Sequence, residues 1–354
     1  MSILKDKSPS STPISKYGEF GLINHLSSQF KCTLSSTKRG IGDDAAVLEF
    51  TEEKYHLLST DMLVEGVHFD LSYTPLKHLG FKAISVNVSD ICAMNGIPSQ
   101  ITVSIAVSNR FPVEALEELY AGIYTACREY NVDLVGGDTT TSISGLVISI
   151  SILGEVDKQK ITYRSGANIN DLVVVTGDLG AAFLGLNVLK REKKVFLENP
   201  GSQPDLGGND YSLQRQLKTE ARLNFVRVLD ELKIVPTSMI DVSDGLSSEI
   251  LHLSKNSEIG ITVYEEKLPI DYTTMNLASD MNLDPIFCAM NGGEDYELLF
   301  TMSQKHYEKI KKDVDFTIIG HVTDISSGNN FIAKDHTSHK ITAHGWDPLL
   351  KKDD

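Results

Sequence analysis

The sequence predicts an α/β (α+β) protein with two mixed α/β domains. Its 354 residues are enough for two domains of ordinary size. Strand-like and helix-like segments follow one another in both halves, without a short-period repeat or a low-complexity segment. A polar break near 157–160 separates the halves. We therefore expect a polar extension at 1–17, an N-terminal domain at 18–157 and a C-terminal domain at 158–354.

The elements of the first half are predicted from apolar periodicity and from their end signals. Pro75 and Pro112 stand where the first turn of a helix begins, and Asn95-Gly96 is a typical helix end. The predicted elements are a helix at 16–30, strands at 45–50 and 55–60, a helix at 75–94, a strand at 101–107, a helix at 112–130 and strands at 132–135 and 146–156.

The second half has the same mixture of elements. The glycine- and proline-containing stretch 193–211 predicts a mobile loop. The predicted elements are a strand at 171–176, a helix from about 181 to 190, a helix at 213–232, a strand at 238–241, a helix at 246–256, a strand at 261–263, and strands at 296–301 and 316–322 around a helix near 304–311.

Composition excludes several classes of function. The net charge of −15 argues against binding nucleic acid through its phosphates. No apolar run approaches the roughly 20 residues that span a bilayer, so we expect no membrane segment. The N-terminus lacks the apolar core of a signal peptide, and the four cysteines form no CxxC pair. We therefore expect a cytoplasmic protein with reduced thiols.

Seven aspartates lie in five short stretches flanked by glycine or small residues. Apolar runs precede or follow nearly all of them, so strands and helices are expected to carry them to loop ends. Converging carboxylates about 4 Å apart repel by roughly 4 kcal/mol at an effective dielectric near 20, and hard cations relieve this. Oxygen-only ligands suit Mg²⁺ and substrate phosphates. These aspartates are Asp43, Asp44, Asp61, Asp90, Asp138, Asp241 and Asp244.

Structural explanations remain open for some of these residues. Gly42-Asp43-Asp44 can be a turn before a strand, and Ser243 or Asp244 can cap the following helix. Asn87 and Asp90 instead share one face of a predicted helix, where a buried Asp needs a partner or a cation. Phosphate loops, dinucleotide fingerprints, kinase signatures and zinc spacings are all absent from the sequence. Phosphate chemistry would therefore depend on metals held by carboxylates.

The motifs, taken together, resemble those of the thiamine-monophosphate kinase family, within the aminoimidazole ribonucleotide synthetase superfamily. The resemblance covers 18–346, and the extension before 18 and the loop at 193–211 depart from it. It implies two α/β domains of the aminoimidazole ribonucleotide synthetase-like fold and an N-terminal sheet that pairs across a homodimer. The motifs are Gly40-Ile41-Gly42-Asp43-Asp44-Ala45-Ala46, Ser59 to Phe69, Asn87-Val88-Ser89-Asp90, Gly136-Gly137-Asp138-Thr139-Thr140, Ile240 to Leu246 and Gly292 to Leu298.

The resemblance also implies a reaction and the residues that support it. The γ-phosphoryl group of ATP would pass to thiamine monophosphate with several Mg²⁺ ions bound, and Asp61, Asp138 and Asp241 would be catalytic. The implied Mg²⁺ ligands are Asp44, Ser59, Thr60, Asp61, Asp90, Asp138, Asp241 and Asp244. The implied ATP contacts are Gly137, Asp138, Arg164, Ser243 and Tyr120. The implied contacts to thiamine monophosphate are His68, Glu294 and Trp346, the last by cation–π attraction.

Two alternatives stay open at this point. Another ATP-using synthetase of the superfamily would share the metal site and take a different acceptor. A non-catalytic acidic protein that binds Mg²⁺ or Ca²⁺ for stability would melt in a metal-dependent way and would not respond to nucleotide.

Overall fold

The structure is a computed structural model that describes residues 14–28, 31–310 and 316–343. These residues form two mixed β-sheets and ten α-helices. No helix among them has both the length and the apolar character needed to cross a membrane. The helices are α1 (Gly18–Ser27), α2 (Leu76–Ala93), α3 (Val113–Tyr130), α4 (Ala181–Glu198), α5 (Asp210–Leu217), α6 (Leu223–Glu231), α7 (Leu246–Ser257), α8 (Tyr272–Asp280), α9 (Pro285–Asn291) and α10 (Tyr307–Ile310).

The strands divide between the sheets in chain order. The first sheet contains β1 (Thr37–Arg39), β2 (Ala46–Leu48), β3 (Lys54–Val64), β4 (Ile97–Val107), β5 (Asp133–Thr141) and β6 (Val147–Asp157). The second contains β7 (Leu172–Thr176), β8 (Ser238–Asp241), β9 (Gly260–Tyr264), β10 (Leu298–Met302), β11 (Phe316–Thr323), β12 (Asn330–Ile332) and β13 (Ser338–Lys340).

Among the described residues, the first sheet is covered on one face only. Its strand order is β1-β2-β3-β6-β4-β5, and only β4 and β5 run parallel. Side chains alternate along β3, so Leu57 and Leu63 are buried while Leu58 and Met62 are 40% and 55% exposed. Helix α2 packs on the buried face against β3, β4 and β6. The opposite face is open to solvent in the part of the chain that the structure describes.

Helix α2 is held between the first sheet, α3 and the second sheet. Every residue from Leu79 to Ala93 is buried except Asp90, which is half-buried. Two glycines let α2 and α3 approach closely, because a Cβ at Gly80 or Gly122 would lie 2.0 or 1.9 Å from a backbone oxygen of the other helix. The same helix also contacts β8 of the second sheet. Its polar residues therefore face a junction of both sheets.

The second sheet has the order β13-β12-β9-β11-β7-β10-β8, with β9 and β12 parallel and the other pairs antiparallel. Its edge strand β8 lies beside α2. One continuous apolar core includes Ile150 of the first sheet, Ile91 of α2, and Met239 and Phe300 of the second sheet. The proposed domain boundary at 157–160 falls between the end of β6 and the start of β7. The domain division itself stays a prediction.

Many predicted elements are confirmed within two residues, among them α2, α3, α7, β6, β7 and β8. The prediction of a mobile loop over all of 193–211 is wrong, because α4 continues to Glu198 and α5 begins at Asp210. The single helix predicted at 213–232 is also wrong. It breaks between α5 and α6, where the Ala221 backbone N–H donates to Tyr130 Oη at 2.9 Å.

The strand predicted at 132–135 is longer than expected. Strand β5 runs to Thr141, so Gly137 and Asp138 lie within a strand instead of after it. Pairing with β4 explains the extension, since Val103 and Ser104 stand opposite Gly137 and Asp138. Five further elements had no sequence prediction: α8, α9, β1, β12 and β13.

Candidate active site

Three carboxylates from distant parts of the chain meet beside α2. One oxygen from each of Asp44, Asp90 and Asp241 lies within 4.8 Å of the others. Asp44 immediately precedes Ala45 and β2, Asp90 lies in the last turns of α2, and Asp241 ends β8. Asp44 and Asp241 are buried. The predicted convergence of acidic loop ends is therefore present for these three residues.

Strand β3 adds two predicted ligands on the same side as α2. Ser59 Oγ hydrogen-bonds to an Asp90 carboxylate oxygen and lies 3.2 Å from the Asp44 carbonyl oxygen. The Asp61 backbone N–H donates to Asn87 Oδ1 at 3.1 Å. Because alternate residues of β3 share a face, Ser59 and Asp61 both point toward α2. This face of β3 and the last turns of α2 together form one wall of the acidic cluster.

A serine of α2 connects the helix to the second sheet. Ser89 Oγ donates to Asp241 Oδ2 at 2.6 Å, although both side chains are buried and 152 residues apart in sequence. The hydrogen bond fixes the orientation of the Asp241 carboxylate at the end of β8. The cluster is therefore built across the junction of the two sheets, so its geometry depends on their packing.

Arg164 partly compensates the charge of the cluster. Its Nε and Nη2 donate to the two carboxylate oxygens of Asp44 at 3.1 and 2.7 Å, which is a bidentate ion pair. The Arg164 backbone N–H donates to Asp43 Oδ1 at 3.1 Å, and Asp43 pairs with Arg39 at 2.8 Å. Asp43 thus has basic partners of its own.

Burial raises the pKa of the carboxyl groups in and around the cluster. It raises the pKa of Asp61 to about 6 and that of Asp241 to about 7, and it raises the pKa of Asp90 well above its ordinary range. Repulsion from neighbouring carboxylates, including that of Asp44, acts in the same direction. These groups therefore ionise less readily than free carboxyl groups, and a bound divalent cation would favour their ionised form.

The donor set of this cluster fits Mg²⁺. Carboxylate and hydroxyl oxygens surround the cluster, and hard cations prefer such oxygen ligands. Within the described residues, this trio is the one group of three acidic, His or Cys side chains close enough to share an ion. We conclude that Asp44, Asp90 and Asp241 can hold a divalent cation, with Ser59 and Asp61 beside them.

The loop from Asp241 to helix α7 faces a second glycine-rich loop. Ser243 offers its carbonyl oxygen to the Glu294 backbone N–H at 2.7 Å, and the Asp244 backbone N–H donates to Glu249 Oε1 at 2.8 Å. The N-cap residue of α7 is Gly245, with φ of 111°. Neither Ser243 nor Asp244 therefore occupies the N-cap position that the sequence had left open for them.

Glu294 lies in a tightly held loop. Its own φ is 64° and that of Gly293 is 70°, conformations uncommon for L residues. An added Cβ at Gly293 would lie 2.6 Å from the Ser243 carbonyl oxygen, so the glycine is required there. Buried Asp295 accepts from the Gly180 backbone N–H at 2.8 Å. Glu294 is presented from a rigid backbone.

Glu294 and His68 occupy neighbouring positions in the site. The Glu294 carboxylate forms an ion pair with Lys82 of α2, and its charge acts on the pKa of His68. Burial is the largest effect on His68 and lowers its pKa. His68 Nδ1 accepts from the Val64 backbone N–H at 3.0 Å, so the neutral ring carries its proton on Nε2. Trp346, the third predicted substrate contact, lies outside the described residues.

Thr60 and Asp138 lie on the other face of the first sheet. The cross-strand pairs Met62–Ser149, Ser149–Ser104 and Ser104–Asp138 place Asp138 on the open face. Three strand spacings separate Asp138 from β3, about 14 Å. Thr60 Oγ1 donates to the Ile150 carbonyl oxygen at 2.9 Å. The single chain thus does not bring these two residues into the acidic cluster.

The two remaining predicted ATP contacts lie away from β3. Gly137 lies in β5, where an added Cβ would be 1.9 Å from the Val103 carbonyl oxygen, so strand packing alone requires a glycine there. Tyr120 lies on α3, half-buried, with its ring edge against Tyr124 at 5.9 Å between centroids. The contact of these two residues with a nucleotide stays a prediction.

Comparison with known proteins identifies the family. The sequence model of the AIR synthase related protein, N-terminal domain, matches residues 42–156. A relative from Bacillus subtilis (strain 168), named thiamine-monophosphate kinase, is 33% identical over 333 residues, or 93% of this chain and 98% of the relative. The chain belongs to the thiamine-monophosphate kinase family.

Two further comparisons support this membership. A thiamine-monophosphate kinase from Aquifex aeolicus (strain VF5) is 36% identical over 312 residues, which cover 88% of this chain and 93% of the relative. The solved structure described as AaThiL complexed with AMPPCP and TMP has a TM-score of 0.80 and 32% identity, and it covers 96% of this chain and 99% of that one. The predicted fold class is confirmed for the single chain.

Sequence reasoning missed three residues that shape the site of this thiamine-monophosphate kinase family member. Ser89 was not among the predicted site residues, although it orients Asp241. Glu249 is buried, and its side chain accepts a hydrogen bond from the backbone N–H of Asp244, five residues earlier in the sequence. Lys82 stands in an otherwise apolar stretch, Phe81-Lys82-Ala83-Ile84. A charged residue within an apolar helix was the one signal that could have singled it out.

Proposed function

We propose that this protein transfers the γ-phosphoryl group of ATP to thiamine monophosphate, giving thiamine diphosphate and ADP. Family membership supports this reaction, as does the related structure described with AMPPCP and TMP. The observation that carries the proposal is the meeting of Asp44, Asp90 and Asp241 at the junction of the two sheets. A cluster of oxygen donors at such a junction suits phosphates held through metal ions.

We further propose that several Mg²⁺ ions bind at this site. Bound Mg²⁺ would neutralise the negative charge of the transferring phosphates. Asp44, Ser59, Asp61, Asp90 and Asp241 would form the ligand set beside α2, since they converge there. Asp244 would extend this set from the neighbouring loop, while Thr60 and Asp138 would act on the open face of the first sheet.

The residues of the chain would position the nucleotide. Arg164 holds Asp44 through a planar two-point contact that a phosphate group can also accept. Ser243 follows Asp241 by two residues, and its hydroxyl group would contact the phosphates of ATP. Gly137 and Tyr120 would contact more distant parts of ATP. His68, Glu294 and Trp346 would hold thiamine monophosphate.

The transfer would be direct. An oxygen of the thiamine monophosphate phosphate group forms a bond with the γ-phosphorus, and the bond from this phosphorus to the bridging oxygen of ADP breaks. The attacking oxygen is already ionised at neutral pH, so the chain need not supply a strong base. Positioning and charge neutralisation supply most of the catalysis in such reactions.

A second copy of the chain is proposed to cover the open face of the first sheet. Met62 and Val135 are 55% and 62% exposed there, and an uncovered sheet face of this kind favours association. In such a homodimer, Asp138 would complete the site of the partner subunit, since it lies about 14 Å across the sheet from β3. Light scattering of the purified protein should give twice the chain mass of 39.0 kDa.

The test is chromatographic measurement of thiamine diphosphate after incubation with ATP, Mg²⁺ and thiamine monophosphate. We expect one thiamine diphosphate for each ADP and no product in excess chelator. ADP without thiamine diphosphate would point to another synthetase of the superfamily. Metal-dependent melting with no response to ATP would instead indicate a non-catalytic metal-binding protein.

A further inference from the structure

Lys82 is a buried cation on the same helix as Asp90. It is 6% exposed and lies among apolar residues of α2 that pack between the two sheets. A lysine is almost never buried to this extent unless it is paired. Its position therefore needs an explanation beyond helix formation, because an apolar side chain would fill the same place more favourably.

The surroundings of the Lys82 ammonium group are polar and only partly satisfy it. Nζ forms an ion pair with Glu294 and donates to the Gln216 carbonyl oxygen at 2.9 Å. A lysine has three N–H donors, so within the described residues one donor is left over. The Glu294 side chain is 32% exposed, so the pair lies at an opening to solvent. A ligand can reach this ammonium group from that opening.

Lys82 also lies in line with the acidic cluster. Lys82 and Ser89 are seven residues apart, which is two helical turns, so they share one stripe of α2. Their separation along the axis is about 10 Å. Ser89 holds Asp241, and the charges of Lys82 and Glu294 both act on His68. The helix thus presents carboxylates at one end of this stripe and a cation at the other.

This order of charges fits two phosphate groups of different kinds. A nucleotide phosphate at the carboxylates needs metal ions between them, whereas a phosphate beside Lys82 meets a cation directly. Arg164, the cation that contacts the acidic cluster through Asp44, is already engaged in two hydrogen bonds with that residue. A phosphate at Lys82 would therefore bind without competing for the metal ligands.

We propose that Lys82 binds the phosphate group of the acceptor, thiamine monophosphate, in exchange for its ion pair with Glu294. The inference rests on the proposed function and assigns a residue that recognises the phosphate of the acceptor. Glu294 holds Lys82 in place before the acceptor arrives and is then released toward the rest of the acceptor. Lys82 donates to phosphate oxygens and takes no part in bond making or breaking.

The experiment compares two ligands that differ only in the phosphate. Binding of thiamine monophosphate and of unphosphorylated thiamine is measured by calorimetry for the wild type, Lys82→Met, Lys82→Arg and Glu294→Gln, in Mg²⁺ without nucleotide. Lys158→Met is the matched control, because it removes another lysine–glutamate ion pair, with Glu49, outside the cluster. The quantity of interest is the ratio of the two affinities, since general damage to the fold weakens both ligands together.

A charge-assisted hydrogen bond predicts a 10- to 100-fold smaller preference for the phosphorylated ligand in Lys82→Met, roughly the strength of such bonds. Lys82→Arg should keep most of the preference, Lys158→Met should keep all of it, and KM for ATP should stay within about twofold in Lys82→Met. Glu294→Gln should keep or increase the preference, because it removes the carboxylate that competes with phosphate.

Two results would overturn the assignment. In the first, Lys82→Met keeps the wild-type ratio of the two affinities, either with both unchanged or with both lowered equally. Lys82 would then be a structural residue only. In the second, should Lys82→Met fail to fold, Glu294→Gln lowers the ratio instead of keeping or raising it. If the wild type forms no thiamine diphosphate at all, the proposed function fails first. If the wild type forms thiamine diphosphate but the affinity ratio is unchanged in Lys82→Met, only the role assigned to Lys82 is rejected.

Discussion

Replacing Asp241 with asparagine should stabilise the metal-free protein while removing its response to Mg²⁺. The pKa of Asp241 is about 7 in the folded chain against an ordinary value of 3.8, so its ionisation opposes folding. This cost is absent below pH 4, grows from pH 4 to 7 and is complete above pH 7. Three pKa units correspond to about 4 kcal/mol, an upper bound because neighbouring carboxylates titrate together.

Pairwise repulsion gives a similar magnitude. Two carboxylates 4.8 Å apart, the limit of separation within this cluster, repel by about 3.5 kcal/mol at an effective dielectric near 20. Asparagine removes the charge and keeps an oxygen that accepts from Ser89. We therefore expect Asp241→Asn to gain about 2–4 kcal/mol in chelator at pH 8, or roughly 4–8 °C in Tm at about 2 °C per kcal/mol.

The assay is thermal melting of wild type and variant at pH 8 and pH 4.5, with chelator and with Mg²⁺. The gain should fall to about 1 kcal/mol at pH 4.5, where the carboxyl group is protonated in the folded wild type but mostly ionised in the unfolded chain. Mg²⁺ should raise the Tm of the wild type by mass action and leave the variant almost unchanged. Asp280→Asn, on the exposed side of α8, is the control. A lower Tm for Asp241→Asn in chelator, or an undiminished Mg²⁺ effect, would refute the reasoning.

Three further predictions concern the site and the helix that supports it. Mg²⁺ affinity should rise from pH 5.5 to 8 with release of protons, because Asp61 and Asp241 have pKa values of about 6 and 7. Calorimetry in two buffers of different ionisation heat measures this proton release, and equal binding heats in both buffers would contradict it. Gly122→Ala should cost 3 kcal/mol or more in denaturant unfolding, since its Cβ would lie 1.9 Å from the Lys77 carbonyl oxygen. Asp138→Ala and Asp241→Ala should each inactivate the protein. When the two variants are co-expressed, about a quarter of wild-type activity should return if the two residues serve one site from different subunits. No recovery would mean that both residues act in a site formed by one chain.

The sequence predicted those carboxylates of the cluster whose surroundings are local. Asp90 was recognised because a helix of apolar periodicity carried a carboxylate on its core-facing side, and in α2 Asp90 is half-buried among buried neighbours and hydrogen-bonded to Ser59. Asp44 and Asp241 were recognised because acidic residues adjoin short apolar strands. In each case a few neighbouring residues contain the whole signal.

Features that depend on tertiary packing were not accessible in this way. The pairing of Ser89 with Asp241 joins residues 152 positions apart, and no local pattern encodes it. Helix α4 runs into the predicted loop, where its Glu192 accepts a hydrogen bond from the Asp205 backbone N–H at 2.9 Å. Strand β5 includes Gly137 because β4 offers a pairing partner. The separation of Asp138 from Asp61 required the order of strands in the sheet, which local periodicity does not reveal.

The central claim is tested most directly by phosphorus NMR of the purified protein with ATP, Mg²⁺ and thiamine monophosphate, beside a control without the acceptor. The account predicts new diphosphate resonances of thiamine diphosphate, matched by those of ADP, and none in the control. Formation of ADP at the same rate in both samples, with the thiamine monophosphate resonance unchanged, would contradict the account.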